Sequence, residues 1–241
     1  MRVLKLYQFV LLIAIVAVFG YQFNHNSRAA LLAEDDAKSL TAARTSEVGI
    51  TKLSSQTSSS SRYILDSSRS KFIARALSGG LLWFKGHDHL IAVREFTGEA
   101  QLTPNSITPA SLNITAKAAS MVETRDVFTE PQKQIINKEL REIVLHPDQY
   151  PDITFKSTNV TGKVIAANQY DLKITGDLTL TGVTRPITIP TKVTVTGNEL
   201  RAQGEFSIER SDFKVKATSA VHGLVRVLDK VKFEFDIVGR R

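Results

Sequence analysis

The sequence predicts an all-β fold: an extended antiparallel barrel of about eight strands with one inserted helix, preceded by an N-terminal membrane segment. Three observations predict it. Apolar and polar residues alternate with a period of two through most of the chain after residue 62, the alternating runs are short and closely spaced, and a single stretch, 129–146, has helical periodicity.

The strands follow in order. Runs around 63–77 and 90–102 open the series. Leu112, Ile114, Ala116 and Ala118 then alternate with Ser111, Asn113, Thr115 and Lys117. Ile153 and Phe155 mark the next strand, and Tyr170, Leu172, Ile174, Leu178 and Leu180 alternate with Asp171, Lys173, Thr175, Asp177 and Thr179. The pattern recurs at Val193/Val195, at Leu200/Ala202/Phe206/Ile208 and at Val231/Phe233/Phe235/Ile237. Such alternation is that of half-buried strands, and Gly197-Asn198 reads as a tight hairpin turn. Consecutive strands this close pair as antiparallel neighbours. Closing the sheet removes its exposed edges. A barrel of that size either encloses one elongated apolar ligand or fills its interior with side chains.

One helix interrupts the strands. Thr129 is its N-cap, Pro131 is tolerated in the first turn, and Gln132 completes a capping pattern. Ile135, Ile136, Leu140, Ile143 and Val144 form an apolar stripe that ends by His146-Pro147. The helix is placed to plug or lid one end of the barrel.

The chain divides into three parts. Residues 1–23, with Arg2 and Lys5 ahead of the apolar run from Phe9 to Phe19, are a signal peptide or an uncleaved N-terminal membrane anchor. Residues 24–61 form a flexible linker whose Ser-rich end, 54–61, buries too little to order itself. Residues 62–241 are the barrel domain. This order predicts export to the cell envelope, in a periplasmic or other extracytoplasmic location, with attachment to the inner membrane if the first segment is retained.

Composition excludes several chemistries. With no cysteine in 241 residues there is no disulfide, thiolate nucleophile, Cys-ligated zinc or iron-sulfur cluster. The net charge of +7 is spread without a basic run, which argues against a nucleic-acid partner. Also missing are a Gly-x-Ser-x-Gly elbow, a phosphate-binding Gly-rich loop, a His-Glu-x-x-His helix and a dinucleotide fingerprint. A non-catalytic binding role without a cofactor is the simplest expectation. Oligomeric state is not legible.

Several separated blocks carry a family resemblance. They are Ser61-Arg62-Tyr63-Ile64-Leu65-Asp66, His89-Leu90 leading to Phe96-Thr97-Gly98, and the run from His146-Pro147 to Lys156-Ser157. Gly176-Asp177-Leu178-Thr179-Leu180-Thr181-Gly182-Val183-Thr184-Arg185-Pro186 and Phe206-Ser207-Ile208-Glu209-Arg210-Ser211-Asp212-Phe213 follow. Together, over about residues 62 to 238, they resemble the YceI-like, polyisoprenoid-binding domain family. The resemblance implies a lipocalin-like barrel, exported in bacteria, that holds a long isoprenoid or related amphiphilic lipid. The stretch Gly86-His87-Asp88-His89-Leu90-Ile91 departs from the single His common in that family, and His222 lies in a loop that looks Gly-rich in relatives.

The candidate ligand-binding residues are His87, His89, Trp83, Phe84, Phe96, Phe155, Arg185 and Phe206. In an extended segment His87 and His89 project to one face. They form a polar pair that donates hydrogen bonds to a lipid head group, or a plain turn, or two ligands of a metal-dependent enzyme completed by His146 or His222. Trp83 and Phe84, beside Gly79-Gly80, form a flexible rim or a packed hairpin. Phe96, Phe155 and Phe206 line a cavity or fill the core. Arg185, before Pro186, pairs with a phosphate-bearing head group or belongs to a surface turn. Glu123, Arg125 and Asp126 read as a solvated or locally salt-bridged corner. A ligand-free envelope interaction module is the remaining alternative function.

Overall fold

The computed structural model describes residues 60–82, 84, 86–220 and 224–241. The segments 1–23 and 24–59, together with Trp83 and His222, lie outside the described residues. Among the described residues no helix is long and apolar enough to cross a membrane.

The described residues form eleven strands: β1 (Ser61–Gly79), β2 (His89–Val93), β3 (Phe96–Leu102), β4 (Ala110–Lys117), β5 (Met121–Glu123), β6 (Asp152–Ala166), β7 (Gln169–Leu180), β8 (Val183–Thr196), β9 (Glu199–Glu209), β10 (Ser219–Ala220) and β11 (Val225–Arg240). Eight of them, in the order β1-β3-β4-β6-β7-β8-β9-β11, close into an antiparallel barrel through the β11–β1 pairing. This is the lipocalin-like, all-β barrel that the alternation predicts. The single strand expected over 90–102 breaks at Arg94–Glu95 into β2 and β3. As a result β1 pairs with β3 near its start (Ser61–Ile64) and with β2 further on (Ile73–Ala76). Short β5 extends β2, and β10 extends β11.

Turn chemistry fixes the β7–β8 register. Thr181 and Gly182 both have positive φ, 47° and 75°, the geometry of a two-residue hairpin turn matched to strand twist. A β-branched residue is disfavoured there. Thr181 is held by its hydroxyl, which donates to the Phe213 carbonyl at 2.8 Å.

The barrel's two ends differ. The end formed by the start of β1, β7 and β9 is filled: Tyr63, Leu102, Tyr170, Leu172, Val193, Leu200 and Ile237 are all buried. There the Tyr170 hydroxyl accepts the Asn105 N–H at 3.0 Å, tying down the β3–β4 loop. Towards the other end, one wall of the interior is incompletely covered. Phe72, Ile187, Phe206, Val231, Phe233 and Phe235 lie on the inward rows of β1, β8, β9 and β11 yet are only half-buried. The opposite wall is buried, with Ile174, Leu178 and Leu180 on β7 and Phe155 on β6. These side chains pack against the core, but their accessibility means that this half of the barrel is less completely filled than the other end.

Glycines shape the interior. A Cβ on Gly204 would come within 2.7 Å of Phe235 Cζ and 2.3 Å of the Pro190 carbonyl oxygen. One on Gly176 would come within 2.6 Å of Phe155 Cζ and 2.4 Å of the Lys156 carbonyl oxygen. At both positions an aromatic ring lies over bare backbone.

The helix α1 spans Glu130–Glu139 and continues as a π-helical turn, Leu140–Leu145, that ends at His146 with φ 48°. Its capping pattern is as expected: the Thr129 N–H donates to Gln132 Oε1 at 2.8 Å. The predicted apolar stripe is only partly used. Leu140 and Val144 pack on the core and Leu145 is buried, whereas Ile135 and Ile143 are exposed. The π-helical turn explains the difference, because changing the residues per turn rotates the stripe away from a single face. The anchor is therefore the C-terminal turn.

Candidate functional site

The site is best built from β2. His89, Ile91 and Val93 lie on one face of this strand, and Ile91 pairs with inward Ala74 of β1, so His89 continues the core row at its open end. Ile91 also pairs with Glu123 of β5, which places Glu123 on the same inner face. The His89 Nδ1 then meets Glu123 Oε2 at 2.8 Å.

Glu123 is the residue that sequence reasoning misplaced. Expected in a solvated or locally salt-bridged corner, it is paired with His89 and its side chain is wholly inaccessible. Its other oxygen accepts the backbone N–H groups of Leu90 at 3.2 Å, Thr124 at 2.9 Å and Arg125 at 2.8 Å. Burial pushes its pKa up, but the hydrogen bonds from His89 and from the Arg125 and Leu90 amides outweigh it and hold the carboxyl below its ordinary value. It is an ionised acceptor. Its own backbone N–H donates to Asn137 Oδ1 at 2.8 Å, joining α1 to the sheet edge. Arg125 is also structural, since it donates to the Asp88 carbonyl at 2.8 Å while Asp88 Oδ1 accepts the Ser78 N–H at 3.1 Å. A set of buried and half-buried polar groups thus fixes the 86–90 segment.

Phe128 joins the two histidines. Its ring stacks on His89 at 5.4 Å between centroids and meets His87 edge-on at 5.7 Å. No sequence signal marked Phe128, because it sits in a loop with no periodicity. His146 lies in the left-handed cap of the π-helical turn, and among the described residues no three His, Asp or Glu side chains converge as a metal-binding group.

The remaining candidates are dispersed. Phe96 and Phe155 are buried parts of the core. Phe206 is half-buried and stacks on Phe233 at 4.9 Å, within an aromatic group completed by Phe72 and Phe235. Phe84 is 54% exposed in the loop after β1. Arg185 is exposed on β8 opposite Leu178, in line with the inward row but at its open end, and it lines a cleft of about 490 Å³ with Ile187, Ile208 and Phe213. The structure therefore brings His87 and His89 together and leaves Arg185 at a separate place on the same end.

Comparison with known proteins agrees with this architecture. The YceI-like domain model matches residues 63–239. A curated relative, Protein YceI of Escherichia coli O17:K52:H18, is 31% identical over 144 residues, 57% of this chain and 66% of its own length. A UPF0312 protein of Vibrio campbellii is 29% identical over 126 residues, 50% of this chain and 61% of its own. The chain thus spans just under two thirds of these relatives. Among solved structures, Burkholderia cenocepacia BcnA superposes with a TM-score of 0.56 at 23% identity, over 72% of this chain and 98% of BcnA. A polyisoprenoid binding domain from Saccharophagus degradans, implicated in plant cell wall breakdown, gives 0.51 at 14% identity over 74% and 97%. With the closed eight-stranded barrel and a family match running from its first strand to its last, the chain belongs to the YceI-like domain family.

Proposed function

We propose that this barrel is a non-catalytic carrier or store for an isoprenoid or related amphiphilic lipid in the cell envelope, brought near a membrane by residues 1–23. The observation that carries this reading is the half-covered, phenylalanine-lined wall of Phe72, Phe206, Phe233 and Phe235. Flat apolar rings left accessible on an inward face suit an extended hydrocarbon chain. Burial at about 25 cal/mol per Å² supplies several kcal/mol after the costs of association. The family and the Saccharophagus degradans neighbour support the same ligand class.

The head group lies at the His87/His89/Phe128 rim. Because ionised Glu123 only accepts, the proton on His89 Nδ1 is directed to it, and Nε2 is the ring atom left to meet a head group. Arg185, apart from this rim, is a second anchor for an anionic head group.

The test is native mass spectrometry of the full-length chain purified from an exporting host, with organic extraction and metal analysis of the same sample. A co-purifying amphiphile near one-to-one is expected. An empty barrel that takes up no amphiphile refutes the reading, and a full equivalent of metal moves it to the metal-dependent enzyme. Replacing His87 and His89 together by Ala is expected to erase preference among head groups while tail binding persists.

A further inference from the structure

We infer that the ligand's chain enters and leaves the barrel sideways, through the seam between β8 and β9. This inference rests on the lipid-binding reading above.

The strands flanking the seam are firmly held on their outer sides. β8 pairs with β7 through twelve consecutive rungs, from Val183–Leu180 to Thr194–Gln169. β9 pairs with β11 through eleven, from Glu209–Lys230 to Glu199–Arg240. Between β8 and β9 there are only five, and the ladder stops at Lys192–Gln203. Beyond that rung the strands still touch, since the Pro190 carbonyl oxygen lies 2.3 Å from where a Gly204 Cβ would be. Further on they part around the cleft of about 490 Å³, which Arg185, Pro186 and Ile187 line from β8 and Ser207, Ile208 and Glu209 from β9.

The cause is in the sequence. Backbone N–H groups of alternate residues point to the same edge of a strand. Pro186 and Pro190 are four apart, so their missing donors fall on one edge, and the unbroken ladder with β7 shows that it is the edge facing β9. Two absent donors stop the seam from zipping.

The seam also leads to the right place. Ile187 and Phe206, on its two sides, belong to the inward, half-buried rows of the less filled half. Phe213, buried after β9, also lines the cleft. Charges on the cleft, Arg185 and Lys230 against Glu209 and Asp212, balance.

The experiment uses the full-length chain with dansyl-aminoundecanoic acid as probe, following fluorescence in stopped flow. Because the chain has no cysteine, Pro186→Cys with Ser207→Cys gives two unique thiols on opposite sides of the cleft, to be joined by a bis-maleimide carrying a reducible disulfide. Since Pro186→Cys itself returns one N–H donor, the reference is the unlinked double-cysteine chain: linking is expected to slow uptake and release about tenfold each relative to it, leaving Kd within twofold, and reduction of the linker restores both of its rates. Independently, Pro186→Thr with Pro190→Thr returns the two donors. It is expected to slow probe exchange and to raise amide hydrogen-exchange protection at Ile187–Thr191 and Gly204–Ser207. Unchanged rates in the linked protein overturn the lateral route while leaving lipid binding intact. A wild-type chain that binds no probe overturns both readings.

Discussion

Glu123 offers the sharpest test of how the rim is built. Glu123→Ala removes a carboxylate that accepts from His89 Nδ1 and from three backbone N–H groups, all around a side chain with no solvent access. Each orphaned buried donor costs roughly 1–3 kcal/mol. Solvent filling the vacated space recovers part of this, so the expected loss is about 3–5 kcal/mol, the range for breaking a buried charged pair. At roughly 2–4 °C per kcal/mol for a domain of this size, Tm falls by about 10 °C. Glu123→Gln keeps the volume and an oxygen for the three amides, but its NH₂ faces the His89 proton; the expected loss is about 1–2 kcal/mol. The assay is urea unfolding of both variants and the parent by circular dichroism. Glu123→Ala within about 1 kcal/mol of the parent, or two variants equally destabilised, would refute the claim that the carboxylate organises the segment.

Other expectations follow from the same geometry. Glu123, Asp66, Asp229 and Asp236 are all held below their ordinary pKa values, Asp66 by the Ser68 hydroxyl, Asp229 by the Ser211 hydroxyl and Asp236 by the Arg201 guanidinium. Their contribution is complete above the ordinary carboxylate range, about pH 4, and is lost as pH falls through the lower folded values; a denaturation midpoint that rose on acidification over that interval would contradict this. Phe155→Ala, on the buried wall, is expected to cost about 3–5 kcal/mol, whereas Phe233→Ala on the half-covered wall costs distinctly less yet weakens amphiphile binding; equal stability losses would mean that the interior is packed throughout. Tyr170→Phe orphans the Asn105 N–H and should cost about 1–2 kcal/mol in the same unfolding assay. Gly176→Ala drives a methyl against the Lys156 carbonyl oxygen and the Phe155 ring, and soluble protein with unaltered Tm would show that the wall yields there.

Much of the fold was legible because strand alternation is a local property. Tyr170, Leu172 and Ile174 had to face one way whatever they met, and the capping pattern Thr129–Gln132 is complete within four residues. The site was less so. His87 and His89 were visible as a pair, but their partners come from afar: Glu123 reaches His89 only because β5 pairs with β2, and Phe128 arrives from the loop that follows. Glu123 was misjudged for a physical reason. A carboxylate among charged neighbours reads as solvated, and nothing local reports the three backbone amides and the imidazole that make its burial tolerable.

By itself the sequence determined the strand faces, the helix start and the turn at Gly197. These follow from backbone sterics and from periodicity, which need no distant partner. Only the tertiary structure decided that the barrel closes β11 against β1, that one end fills while the Phe206–Phe233 wall stays half-covered, and that His89 shares its proton with a buried carboxylate. Those outcomes depend on side chains far apart in the chain competing for one enclosed volume, and volume is a property of the closed sheet rather than of any strand.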